Sequence, residues 1–153
     1  MKETLFALLA AFLGSLGFGM LQNTHGKKLL IASVGGMGAW GVYLLVSALT
    51  PELYMRYGAA SIFAALYAEI FSRVLKTPTT VLLGTAVIPL IPGGGLYYTM
   101  EYALRGDAAR FAQQGMETLL AAASIAGGIL AVSSIIRSAM LLLRERAARG
   151  TRT

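Results

Sequence analysis

Residues 78–104 read PTTVLLGTAVIPLIPGGGLYYTMEYAL. Glu101 is the only charged residue in this stretch. At about 1.5 Å per residue, the stretch is long enough as a helix to cross a hydrocarbon layer of ~30 Å. Its middle resists regular helix. Pro89 and Pro92 each lack a backbone donor and crowd the preceding turn. Gly93, Gly94 and Gly95 then favour an unwound chain. In lipid an unpaired backbone group costs several kcal/mol, so an irregular backbone survives only against protein or a watery cavity. The alternative is a proline-kinked helix, or a loop joining two shorter helices.

Four more apolar segments surround this one. They run from about residue 4 to 21, 29 to 49, 57 to 75 and 116 to 136, and a basic tail occupies 137–153. The expected fold is therefore all-α: a single polytopic membrane domain of about five transmembrane helices, with the fourth span, 78–104, broken near 89–95. The runs are too long and too little alternating for strands. Thr77 is placed to cap the fourth helix, with Pro78 in its first turn, and Asp107 to cap the helix entering the fifth span. The first run, behind Lys2, is long and has no small-residue cleavage site after it, which favours a retained span over a signal peptide.

Charge supports the same reading. Only 13% of the 153 residues are charged, against about 25% in soluble domains. The net charge of +6 lies mainly in short loops and the tail, a topology signal rather than a nucleic-acid surface. With five spans, Lys2, Arg56, Arg105 and Arg110 share the N-terminal side. Lys27, Lys28, Arg73, Lys76, Arg137, Arg144, Arg146, Arg149 and Arg152 share the other. Positive-inside bias then puts the N-terminus outside and the C-terminus in the cytoplasm, and a re-entrant fourth segment would undo that parity. There is no cysteine, so disulfide and thiol chemistry are excluded. His25 stands alone, and no metal or other cofactor is expected. The glycines are not followed by Gly-Lys-Ser/Thr, which argues against nucleotide binding. No nucleophile–base set is visible.

The candidate solute-binding residues are few. A broken membrane helix can turn the positive end of one half toward a carboxylate and its unwound carbonyls toward a cation, which singles out Pro89, Pro92, Gly93, Gly94 and Gly95. Tyr97 and Tyr98 adjoin them. Glu69 and Arg73, four apart on an otherwise apolar helix, share a face and can pair. Glu69 could carry a proton or meet an ammonium group. Arg73 could attract an anion or extend to the interface. Asn23 could line a pathway or cap the next turn. Glu101 could be half-buried or face the interface. Glycines 14, 17 and 19, and 35, 36, 38 and 41, form small faces for helix contact within the chain or with another chain, a second copy included.

These residues resemble the small subunit of the threonine/serine exporter family, in the branch split over two chains. The resemblance rests on Ala68-Glu69-Ile70, Arg73, Lys76-Thr77-Pro78, Val87-Ile88-Pro89-Leu90-Ile91-Pro92-Gly93 and Leu96-Tyr97-Tyr98-Thr99-Met100, with Asn23, Gly38, Trp40 and Tyr43 as weaker matches. It implies a bacterial inner-membrane exporter of small amino acids or dicarboxylates, a larger membrane subunit as partner, and coupling to protons. The sequence departs from the pattern around Asn23, where an apolar residue and a proline are missing, and at Gly94-Gly95. The other reading is a non-transporting partner that stabilises or anchors the larger subunit.

Overall fold

The structure is a computed structural model describing residues 2–150, with side chains through Met140. The described backbone is helical throughout its regular parts: α1 (Lys2–Leu21), α2 (Lys27–Leu49), α3 (Leu53–Leu75), α4 (Thr79–Val87), a 3-10 turn (Ile88–Leu90), α5 (Gly93–Leu104) and α6 (Ala108–Gly150). Four single helices are long and apolar enough to cross a membrane, and α4 and α5 together make a fifth, bent by 53°. The last residues of the basic tail, 151–153, lie outside the described residues.

Small residues build the core. α1 buries Ala11, Ser15 and Gly19, spaced four apart on one stripe. α2 buries Ala32, Ser33, Gly35, Gly36 and Ala39, and α3 buries Ala60, Ser61, Ala64, Ala65, Ala68 and Ser72. Lipid tails are as apolar as leucine, so membrane helices gain most by close backbone approach, which small faces allow. The Tyr67 ring lies over Gly35, and its hydroxyl donates to the Ile31 carbonyl at 2.8 Å. A methyl on Gly128 would overlap the Ser61 hydroxyl, which marks the α3–α6 crossing.

Residue pairs fix the sense of each helix. Ser15 meets Gly36 and Leu8 approaches Gly41, so α1 and α2 are antiparallel. Tyr67 on Gly35 and Phe63 on Gly38 make α3 antiparallel to α2. Gln22 lies by Gly84, Gly19 by Thr85 and Ala11 near Pro89, so α4 runs against α1. Ser61 by Gly128 and Glu69 near Ile136 give α3 and α6 the same sense, whereas Gly95 on Thr118 and Thr99 on Gly115 oppose α5 to α6. α4 and α5 therefore continue in one direction across the 53° bend rather than folding back as a hairpin. Counted as one span, this bent pair brings the candidate membrane spans among the described residues to five.

Several boundaries differ from expectation. α6 extends well beyond 116–136 because nothing between Asp107 and Gly150 breaks it. Asp107 does cap it, the Arg110 amide donating to Asp107 Oδ1 at 3.1 Å. Thr77 does not cap α4. Its hydroxyl donates to the Leu75 carbonyl and its amide to the Ser72 carbonyl at 3.0 Å, so it closes α3 instead. Pro78 stands just ahead of α4's first turn rather than in it. Lys76 takes the left-handed conformation (φ 48°) that this closure requires, and its amide reaches Arg73's carbonyl.

Candidate solute site at the broken segment

Pro89 removes the amide that would close an α-helical turn onto Thr85, and Ile88–Leu90 tighten into a 3-10 turn. The chain then extends at Ile91 (φ −61°, ψ 121°) and restarts as helix at Gly93. The Gly93 amide donates to the Ile91 carbonyl at 2.7 Å, and that of Leu96 to Pro92 at 3.0 Å. No side chain caps α5. Its first-turn amides, including those of the exposed Gly94 and half-buried Gly95, have no acceptor inside the helix. They form the positive end of a dipole beside an unwound backbone.

The break descends through the bundle. Pro89 packs near Gly36, close to the middle of α2, and Leu90 is fully buried in a cluster with Ala39, Ala60, Ala64 and Ile125. Gly95 lies against Thr118, where α6 changes from the polar run Asp107–Glu117 to apolar sequence. α5 thus begins inside the apolar layer and ends level with polar residues. Its last turn carries the Glu101–Arg105 ion pair, and Tyr102 lies under the Arg110 guanidinium, 5.8 Å from the ring centroid. Glu101 is therefore a half-buried acid paired near an interface.

Two cavities flank the break. One, about 270 Å³, is lined by Ala7, Ala10, Ala11, Trp40 and Pro89. The other, about 390 Å³, lies on the opposite flank between Val87, Ile91, Pro92 and Leu96 and the α6 residues Thr118, Ala122 and Ile129. Trp40 stacks on Tyr43 (4.7 Å, 12°), and Tyr43 meets Tyr57 at 4.9 Å. In the sequence, Trp40 and Tyr43 stand out only as weaker matches in the family resemblance. The three aromatics form one cluster against the core that holds Leu90. Ser15, fully buried without a hydrogen-bond partner and touching the backbone of Gly36 close to Pro89, was not singled out at all. Its place in the Ala11–Ser15–Gly19 stripe was the signal available.

The structure divides the predicted site residues into groups. Pro89, Pro92, Gly93, Gly94 and Gly95 stay together. Tyr97 and Tyr98 form an edge-to-face pair at 5.3 Å, but both are exposed on α5 and neither lines the two cavities. Glu69 and Arg73 pair at 3.6 Å on a different seam, between α3 and α6, lining a cavity with Ile136, Ala139 and Met140. The Ala60–Ala64–Ala68 stripe faces the core, and Glu69 sits about 100° around the helix from Ala68. Glu69 and the break therefore lie on different seams of the bundle. Asn23 is exposed at the end of α1, where it takes the left-handed conformation (φ 58°) that ends the helix, and α2 has no side-chain cap. Asparagine tolerates this conformation better than most residues. Among the described residues no group of three or more His, Asp or Glu is placed to hold a metal.

Four apolar helices long enough to cross a membrane, with a bent pair that makes a fifth span when counted as one, define a multi-pass helical membrane protein. The family model described as Threonine/Serine exporter, ThrE, matches residues 7–135, and the chain belongs to that family. The match takes in α1 to α5, the break and the apolar part of α6. No curated protein and no solved structure gives a significant match.

Proposed function

We propose that the chain is a transporting subunit of a bacterial inner-membrane secondary exporter. It carries threonine, serine or a small dicarboxylate together with a larger membrane subunit. The observation that carries this reading is the uncapped α5 N-terminus exposed beside an unwound backbone in mid-bundle. Amides at Gly94 and Gly95 meet the solute carboxylate, and carbonyls freed between Pro89 and Pro92 meet its ammonium group. Glu69, in contact with Arg73 at 3.6 Å, is the proton-coupling acid, and it acts from the α3–α6 seam at a separate step of the cycle. The N-terminus is outside and the C-terminus cytoplasmic.

The test is threonine efflux from proteoliposomes holding this chain, the larger family subunit, or both, with and without an imposed proton gradient. The pair exports. Pro89→Ala, which restores the missing amide, lowers the rate by about tenfold, equivalent to ~1.4 kcal/mol of barrier. Glu69→Gln removes the response to the gradient. Wild-type rate and pH response in both variants would end the proposal. Full export by the larger subunit alone, with this chain altering only its abundance, would favour the stabilising-partner reading.

A further inference from the structure

A second cavity system lies far from the break. A groove of about 530 Å³ opens along the α3–α6 seam, lined by Glu69, Ile70, Arg73, Val74, Ile136, Ala139 and Met140. Its walls are aliphatic and open outward, with Ile70 58% and Val74 69% exposed. Its polar groups are gathered at one end, close to Lys76, where α3 stops. An apolar trough with a charged rim at the helix end complements an amphiphile lying along the seam.

The rim is cationic. Glu69 neutralises only part of it, because its contact with Arg73 is long at 3.6 Å and Arg73 is 55% exposed. The other contact of the guanidinium is with the Met140 sulfur at 3.3 Å, a weak acceptor. Among the described residues, most of its five N–H donors have no other partner. Lys76, three residues beyond Arg73, and Arg137, beside Ile136 in sequence, are both exposed, which gives three cations to one carboxylate among the described side chains. The same asymmetry holds for the whole bundle. Among the residues with described side chains, the end with Lys76 carries five basic residues and one acidic, whereas the end with Lys2 and Asp107 carries four basic and five acidic.

We propose that this groove seats an anionic phospholipid. One acyl chain lies between Ile70, Val74 and Ile136, and the phosphate rests on Arg73, flanked by Lys76 and Arg137. Guanidinium matches phosphate geometrically and by charge, and basic pockets between membrane helices are a known form of lipid recognition. A zwitterionic headgroup would bring its own cation to a rim already rich in them. The groove shares Glu69 and Arg73 with the proposed coupling step, but lipid retention is read without export, so the two readings can fail separately.

The experiment is native mass spectrometry of the full chain, with retention of phosphatidylglycerol compared with that of phosphatidylcholine carrying the same acyl chains. Wild type retains the anionic lipid about tenfold better, a difference of ~1.4 kcal/mol. Arg73→Gln combined with Lys76→Gln brings the two lipids level. Ala139→Trp, which fills the trough, lowers retention of both. Arg56→Gln, at the opposite end, leaves retention unchanged, and circular dichroism establishes that each variant is folded. Equal retention of the two lipids by wild type would overturn the proposal, as would equal loss in Arg56→Gln. Displacement by millimolar inorganic phosphate would show a site for phosphate rather than lipid. A photo-crosslinker at Ile70 that captured a second membrane chain instead of lipid would assign the groove to a protein partner and also overturn it.

Discussion

α4 and α5 are the two halves of one interrupted segment, and they are held in opposite ways. α4 packs among α1, α2 and α3 and buries Leu82, Thr85 and Ala86. α5 buries no residue and rests on α6. Both are apolar, so both enter the bilayer. What separates them is their neighbours. α4 meets faces lined with Gly19, Gly35 and Gly36, where its side chains reach the facing backbone. α5 makes such close approaches only at Gly95 with Thr118 and at Thr99 with Gly115. Hydrophobicity admits a helix to the membrane, and small residues decide how firmly it is gripped. The firm half anchors the break, and the loose half leans on α6 alone.

The comparison is open to direct attack in detergent unfolding titrations. The largest effect is expected for Gly36→Leu. Its side chain would overlap Ser15 and crowd Pro89, so the tight half should lose about 3 kcal/mol or fail to assemble. Leu82→Ala, in a fully buried position, should cost about 2 kcal/mol through lost contacts. Asp107→Ala removes the α6 cap and should cost about 1 kcal/mol, seen as faster amide exchange in the first turn of α6. Met100→Ala, 63% exposed on α5, should stay within about 0.5 kcal/mol. A Met100 cost equal to that of Leu82 would erase the distinction between the halves and imply that α5 is covered by something else.

The helices were legible because apolar runs bounded by Pro51, Thr77-Pro78 and Gly106-Asp107 leave few alternatives, and the break was legible because proline and glycine act locally. What lay out of reach was the direction in which side chains face. Glu69 and Pro89 both looked interior by their polarity or their effect on the backbone. Yet a rotation of about 100° on α3 sends Glu69 to the α6 seam, and no spacing rule within one helix reveals which neighbour that face will meet. Asn23 offered either a pathway amide or a cap, and it stands exposed in the left-handed conformation beyond the end of α1. Tyr97 and Tyr98 adjoin the break in sequence yet point away from it, because α5 offers its glycine side to α6. Ser15 and Trp40 come to the break from α1 and α2, contacts that only the tertiary arrangement supplies.

α6 counts 43 residues without a joint. At ~1.5 Å each it is a rod of about 64 Å, roughly twice the thickness of the oily layer it pierces. A shaft of that kind has no hinge in which to dissipate a twist. Its backbone therefore runs unbroken from the Asp107 turn, where α5 ends, out past the level at which α3 stops.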